Sequence, residues 1–364
     1  MSSKDTKTFY LYQFFALTFL LLTTKYLNIH DIINIGGQMD AISYIEISKY
    51  FPKLPSENDI ILQNAAQRFI IPYAVGFFSN IFAIDLLIVF RVFTLLFLLF
   101  YIFLITFIVD KLKLNLRESI LLFSLLFLNP YIARFHLFNP IQSHDMLFFC
   151  LCIIFAYSVI SNKFILNITT IVITIFLRQT SIALFFASLI HLIIYKKIKL
   201  IIFLCLSYFI GLYTITYVGK YISTNSFPIQ TAYGIFLYDF TQIDKLVRFA
   251  LLPLVSFFPL FIFFLSERNK DINIKTILIL LIPCIMMIAQ PYLGGPIYST
   301  ANVVRISTLC YPILTILIFY SFNLRKILTN NLIFFLLLCC LFFWSIHPTF
   351  SIFKFFGIFR FYNY

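Results

Sequence analysis

The stretch "IDLLIVFRVFTLLFLLFYIFLITFIV", residues 84–109, is an almost unbroken apolar run that decides the class of the fold. A helix needs roughly 20 apolar residues to cross the hydrocarbon core of a bilayer, and this run exceeds that length. Its charged residues, Asp85 and Arg91, both lie near one end. The run therefore predicts a transmembrane helix, with the two charges marking either a functional group or an ion pair with a neighbouring helix.

The whole chain of 364 residues has the same character, because 62% of its residues are hydrophobic and only 11% are charged. In soluble domains about a quarter of the residues are charged. Similar apolar runs recur along the length and leave no room for a separate soluble domain. We therefore expect residues 1–364 to form a single integral membrane domain, an all-α polytopic protein with about eleven transmembrane helices.

The net charge of +13 does not indicate a nucleic-acid partner, because Lys and Arg occur in small groups at the ends of apolar runs. This pattern is typical of the positive-inside rule, and the basic start "SSKDTK" places the N-terminus in the cytoplasm. The seven cysteines lie in apolar stretches without zinc-site spacing, so we expect no metal and no cofactor. The excess of Phe, Ile, Lys and Asn indicates an AT-rich genome, hence a bacterial inner (plasma) membrane.

With this orientation, the first span covers Phe9 to Leu27 and residues 28–83 form an outer loop with short interfacial helices. Within that loop, Pro72 and Gly76 interrupt "FIIPYAVGFFSNIFA", residues 69–83, which predicts a half-inserted helix rather than a crossing. Further along, two short helices flank the outer turn "RQT", residues 178–180. Most acidic residues fall on the outer face, so the chemistry is expected there.

The stretch "GGQMDAISYIEISKYF", residues 36–51, predicts a short amphipathic helix on the membrane surface, with Ile42, Ile45 and Phe51 turned toward lipid. Asp40 lies in its first turn, where the helix dipole favours an ionised carboxylate. Two interpretations are open: Asp40 caps the helix, or it is a general base that takes a proton from an acceptor hydroxyl.

Two further acids are alternates for this base. Asp31, in "NIHDI", closely follows the first span and is otherwise an interfacial loop carboxylate. Glu46 lies six residues beyond Asp40, which puts it on a different face of the helix, where solvation is the simpler interpretation.

The order of these elements resembles the GT-C class of membrane glycosyltransferases. The resemblance is carried by the acidic outer loop with Tyr44 nearby ("MDAISYIEIS"), by the entry "QRFIIPY" into the next apolar segment, by "NPIQSHDMLFF" and by "FLRQTSIALF". The "RQT" is also similar to one seen in dolichyl-phosphate-glucose-dependent glucosyltransferases. The resemblance covers roughly the first half of the chain. The chain departs from the class in having no adjacent acidic pair in the first outer loop and no large outer domain after the last span.

The resemblance implies an inverting transfer of a sugar from a polyprenyl-phosphate donor to a lipid, glycan or protein acceptor of the cell envelope, on the outer (periplasmic) face. Membrane lipids are the other expected partners. Asp40 is then the base and Tyr44 a supporting residue. Asp145 opens an inward-running helix, and it either pairs with Arg178 or is a plain helix-start carboxylate.

The donor phosphate requires cations, and the planar guanidinium of Arg suits its oxygens. Snorkelling to lipid headgroups is the common alternative for each arginine near the membrane surface. Arg178 is favoured because it lies between two short helices, where a headgroup is a less obvious partner. The other candidates are Arg68, Arg305, and Arg134 with His136.

Other functions stay open at this point. A multispanning transporter or flippase is disfavoured because most glycines lie outside the apolar segments and no internal repeat is present. An envelope-glycan polymerase or ligase is expected to concentrate its chemistry in large, late outer loops, whereas the acids here cluster after the first span. A purely structural membrane subunit is a fourth possibility.

Overall fold

A computed structural model of the protein describes residues 3–24, 26, 39–225, 257, 259, 260, 263, 266–269, 272–290 and 303–346. The chain is an all-α protein, as predicted, with two short β pairs that the sequence did not predict. Within the described residues, four helical segments are long and apolar enough to cross a membrane: Leu86–Lys111, Leu116–Phe138, Pro140–Ile160 and Ile198–Ile222. Six further apolar helices in the described part of the chain are shorter, with 10–17 residues.

The helices, in chain order, are α1 Ser3–Thr23, α2 Met39–Lys49, α3 Gln63–Ala66, α4 Ile70–Phe82, α5 Leu86–Lys111, α6 Leu116–Phe127, α7 Phe135–Phe138, α8 Ser143–Ile160, α9 Phe164–Ile175, α10 Ser181–Ile194, α11 Ile198–Ile222, α12 Ile274–Ala289, α13 Val303–Thr308, α14 Tyr311–Ser321, α15 Arg325–Leu328 and α16 Asn331–Ile346. A π-helical turn, Pro130–Arg134, precedes α7, and a 3₁₀ turn, Pro140–Gln142, precedes α8. The strands are β1 Asn58–Leu62, which pairs in parallel with β2 Ser223–Asn225, and β3 Glu267–Arg268, which pairs antiparallel with β4 Phe322–Asn323.

The chain divides into two compact units. The first contains residues 1–26, 101–135 and 232–364, and the second contains residues 27–100 and 136–231. In the first unit, α6 begins with a capping box because Asn115 and Glu118 bond reciprocally to each other's backbone N–H. Helix α1 is joined to α6 by a hydrogen bond between the hydroxyls of Tyr12 and Ser124.

In the second unit, α4 packs against α2 at a close backbone approach. A Cβ added to Gly76 would lie 2.2 Å from the carbonyl oxygen of Ser48, so only glycine fits there. Pro72 lies in the first turn of α4, where its missing N–H leaves no helical bond unmade. The helix is therefore continuous, but its 13 residues reach only about 20 Å, short of the roughly 30 Å core. This length agrees with the predicted half-inserted helix.

The parallel pair β1–β2 holds the end of α11 against the segment that precedes α3. The Ser223 hydroxyl donates a hydrogen bond to the carbonyl oxygen of Ile61, and the Glu57 N–H donates to the Tyr221 carbonyl at 3.0 Å. Here α11 also contacts α3 through Gly219, whose added Cβ would lie 2.8 Å from Cγ of Gln67. The second unit thus fixes α3 from one side.

A buried polar network joins the short helices α9 and α10 to α8. The Asn167 amide donates to the Ser158 hydroxyl at 2.9 Å and accepts a hydrogen bond from the Ser188 hydroxyl. The predicted pair of short helices is confirmed, and residues 178–180 form the turn between them. The ion-pair interpretation of Asp85 is wrong for the described part of the chain, because this exposed carboxylate caps α5 by accepting from the Leu87 N–H at 2.8 Å.

Candidate functional site

The candidate site is built on α2, whose start at Met39 puts Asp40 in the first turn and Tyr44 one turn later on the same face. The buried side of α2 carries Ala41, Ser43, Tyr44, Ile47 and Ser48. This arrangement differs from the prediction that Ile42, Ile45 and Phe51 all turn toward lipid. Ile42 is 39% exposed, whereas Ile45 and Phe51 are partly buried, and Ile45 packs against the core around Tyr44, Val75 and Phe90.

Tyr44 is fully buried and connects three segments of the chain. Its hydroxyl accepts a hydrogen bond from Nη1 of Arg68 at 3.0 Å and lies 3.3 Å from Nε2 of His144. The His144 ring meets the Tyr44 ring edge-on, with centroids 4.7 Å apart. The supporting residue predicted from the sequence is therefore the hub of a hydrogen-bonded cluster.

Arg68 lies in the turn between α3 and α4 and is 8% exposed. Its Nη2 donates to Oε1 of Gln179 at 2.9 Å. Burial by itself would lower the pKa of Arg68, but the neighbouring Tyr44, Asp40 and Asp145 outweigh burial and raise it above its ordinary value. Arg68 is thus a cation at every physiological pH although it is buried.

Asp145 lies in the first turn of α8, after the 3₁₀ turn that starts at Pro140. Its Oδ2 lies 3.1 Å from Nη1 of Arg178, and its Oδ1 lies 3.1 Å from Nε2 of His144. The side chains of Asp145 and Arg178 are 1% and 4% exposed. Of the two interpretations of Asp145, the ion pair with Arg178 is the observed one.

The two arginines of the cluster differ in what balances their charge. Arg178 is paired directly with the Asp145 carboxylate, whereas Arg68 donates its hydrogen bonds to the neutral oxygens of Tyr44 and Gln179. Arg68, rather than the Arg178 favoured from the sequence, is therefore the better placed cation for an added anion.

Asp40 is partly buried, and its charge contributes to the raised pKa of Arg68. The Asp40 carboxylate makes no hydrogen bond within the described ranges 3–24, 26 and 39–225 or in the later described segments. The described residues therefore show no hydrogen bond by which the Asp40 side chain would cap α2.

Glu46, the alternate base on the same helix, does not join this cluster. Glu46 pairs with Lys49 at 2.7 Å in a partly exposed i,i+3 pair, which agrees with its interpretation as a solvated surface residue. Asp31 lies outside the described residues. Arg305 lies in α13, in the first unit, and its side chain is also outside the described part.

Sequence reasoning missed two members of the cluster. His144 immediately precedes Asp145 in "SHD", and Gln179 immediately follows Arg178 in "RQT", so both stand beside residues that were chosen for their charge. Their position next to Asp145 and Arg178 was the sequence signal that could have identified His144 and Gln179. Their contacts with Tyr44 and Arg68, about 100 residues away in the chain, carry no sequence signal.

The described residues contain no group of three or more His, Cys, Asp or Glu side chains placed to hold a metal ion. The chain matches no protein-family model, no curated protein and no solved structure.

Proposed function

We propose that the protein is a membrane glycosyltransferase of the GT-C type. It transfers a sugar from a polyprenyl-phosphate donor to a hydroxyl of a cell-envelope lipid, glycan or protein. The reaction takes place on the outer face of a bacterial inner membrane, in a chain with about eleven spans and a cytoplasmic N-terminus.

The observation that supports the proposal is the convergence of residues from four separate segments on one buried, hydrogen-bonded cluster. Tyr44, Arg68, Asp145 and Arg178 were singled out from short motifs, and in the second unit they are linked through atoms 2.9–3.3 Å apart. Ionisable groups are costly to bury near a membrane, and clusters of them are typical of functional sites.

In the proposed reaction, the carboxylate of Asp40 removes the proton of the acceptor hydroxyl. The acceptor oxygen forms a bond to C1 of the sugar from the face opposite the phosphate, which inverts C1. The bond between C1 and the phosphate oxygen breaks, and its electron pair stays on that oxygen. The products are the glycoside, polyprenyl phosphate and a protonated Asp40.

Arg68 binds the phosphate in this scheme. The leaving phosphate gains negative charge as the C1–O bond breaks, and a buried guanidinium stabilises that charge more strongly than water-exposed groups do. The phosphate oxygens accept hydrogen bonds from the Arg68 guanidinium, either from Nε or from Nη2 in place of Gln179 Oε1. Asp145 and Arg178 act through His144 and Tyr44, because their contacts hold the Tyr44 hydroxyl that positions Arg68.

The test uses the full chain, purified and reconstituted into lipid nanodiscs with a panel of short-chain polyprenyl-phosphate hexoses and pentoses and a membrane extract as acceptor. Wild type should transfer one of the sugars. Asp40→Asn should lower the rate by roughly 10²–10⁴-fold, the usual contribution of a general base. Glu46→Gln, on the same helix, is the matched control and should retain the rate. Equal activity of Asp40→Asn and wild type would exclude Asp40 as the base.

A transporter is the second candidate, because His144 and Asp145 lie in a segment long enough to span the membrane, where Asp145 pairs with Arg178 and lies 3.1 Å from His144. Buried carboxylate and imidazole groups of this kind form proton relays in transporters. Proton-coupled movement of a solute or lipid in vesicles, with no sugar transfer from any donor of the panel, would favour the transporter over the glycosyltransferase.

A further inference from the structure

Two amide side chains, Gln67 and Gln179, are hydrogen-bonded to each other next to Arg68, and Asn64 joins them through its backbone carbonyl. Nε2 of Gln179 donates to Oε1 of Gln67 at 2.6 Å and to the carbonyl oxygen of Asn64 at 3.2 Å. Oε1 of Gln179 accepts from Arg68 at 2.9 Å. The amide cluster, defined as these three residues, is therefore linked to the proposed phosphate-binding cation through the Gln179 side chain.

The amide cluster contains donors and acceptors that make no hydrogen bond to the described residues. Asn64 is exposed, and Gln67 and Gln179 are partly buried. Over the residues that the structure describes, the Asn64 side-chain amide and the Nε2 of Gln67 make no hydrogen bond to the protein. Each primary amide offers two donors and an acceptor, so a ligand with several hydroxyls can bond to more than one of them.

The stem of Gln67 is also held in place. Gly219 of α11 approaches Cγ of Gln67 so closely that an added Cβ would lie 2.8 Å from it. The backbone N–H of Gln67 donates to the Gln63 carbonyl at 3.1 Å. A polar group held in this way loses less conformational entropy when it binds a ligand, which increases its contribution to affinity.

We propose that the amide cluster binds the hydroxyl groups of the donor sugar, and that the sugar is a neutral hexose or pentose. This inference rests on the proposed function. The sugar is joined to the phosphate through a single oxygen, so its hydroxyls lie a few ångströms from the cation that binds the phosphate. Uncharged amides match uncharged hydroxyls, and they leave the charge of Arg68 to the phosphate.

The alternative role of the amide cluster is structural, as a tether between α3 and the turn after α9. The two roles differ in a measurable way. A sugar-binding cluster affects the glycosylated donor and not the polyprenyl phosphate without its sugar. A structural tether affects both ligands, because it would act through the position of Arg68.

The experiment measures the dissociation constants of the full chain in nanodiscs for two probes. One is the short-chain polyprenyl-phosphate sugar that wild type uses, and the other is the same polyprenyl phosphate without the sugar. Gln67→Ala and Asn64→Ala should each weaken binding of the first probe by roughly three- to tenfold, the effect of one hydrogen bond, and leave the second unchanged.

Gln63→Ala is the matched control, because Gln63 is in the same short helix and its side chain makes no hydrogen bond to any described residue. Arg68→Lys should weaken both probes. Because Asn64 is exposed, Asn64→Ala should fold even if Gln67→Ala does not, and the test can then be made with Asn64→Ala. The inference is overturned if both amide variants behave like Gln63→Ala, or if they weaken both probes equally. Wild type that binds neither probe would overturn the proposed function itself.

Discussion

Replacing Asp145 with Leu should destabilise the protein by far more than the small net stabilisation that its ion pair provides. The pair with Arg178 spans 3.1 Å with both side chains almost fully buried. Coulomb's law at an effective dielectric constant near 20 gives an attraction of about 5 kcal/mol, and desolvation of the two ions cancels most of it. Removal of one partner leaves the desolvation cost of the other, which is about 3–5 kcal/mol.

The prediction is tested with a double-mutant cycle. Asp145→Leu and Arg178→Met should each lower the free energy of unfolding by about 3–5 kcal/mol, and the double variant should recover to within about 1–2 kcal/mol of wild type. The assay is reversible unfolding in mixed detergent micelles, followed by far-UV circular dichroism. Glu46→Gln removes the partly exposed pair with Lys49 and should change the same quantity by less than about 1 kcal/mol.

Two outcomes would refute the reasoning. If Asp145→Leu unfolds within about 1 kcal/mol of wild type, Arg178 is not left as an uncompensated buried charge. If the double variant is as unstable as the sum of the two single variants, the two side chains are not coupled in the folded protein.

Two further predictions concern α4 and Arg68. Gly76→Ala should destabilise the protein by about 1–3 kcal/mol because its Cβ would meet the backbone oxygen of Ser48, whereas Gly211→Ala meets only the end of the Ile175 side chain at 3.0 Å and should be nearly neutral. Thermal unfolding of the two variants compares them directly, and an equal loss in both would contradict the close approach. The raised pKa of Arg68 means that its charge, and any stability it contributes, is present below its ordinary pKa and is lost only as pH rises through the still higher folded value. Donor binding measured by titration should therefore show no loss from Arg68 between about pH 6 and 10, whereas Arg68→Lys should lose affinity as pH approaches the lysine pKa of about 10 or below. The same pH profile in both proteins would exclude Arg68 as the phosphate ligand.

The helices could be predicted because the signal for them is local. An apolar run, a proline or a capping residue acts within a few positions of itself, so the short helices around "RQT" and the short helix with Asp40 in its first turn are predicted from the sequence. The short length of α4 also follows from its own residues. The number of spans that cross the membrane depends in addition on lipid, and it stays a prediction.

The site could be predicted only as a set of residue types. Motifs indicated Asp40, Tyr44, Arg68, Asp145 and Arg178, but the contacts of Tyr44 with His144 and of Arg68 with Gln179 span about 100 positions, where sequence patterns carry no information. For the same reason the pairing of β1 with β2 was missed, since a parallel pair joins segments that are far apart in the chain.

The sequence by itself determined that the chain is helical, that several of its helices are apolar enough to cross a membrane, and which polar residues interrupt its apolar runs, because hydropathy is a property of each segment alone. Only the tertiary structure decided that Arg178 is neutralised by Asp145 and that Arg68 is bonded to the neutral oxygens of Tyr44 and Gln179. The physical reason is that the availability of a charge depends on which group lies within about 3 Å of it, and folding alone sets that distance.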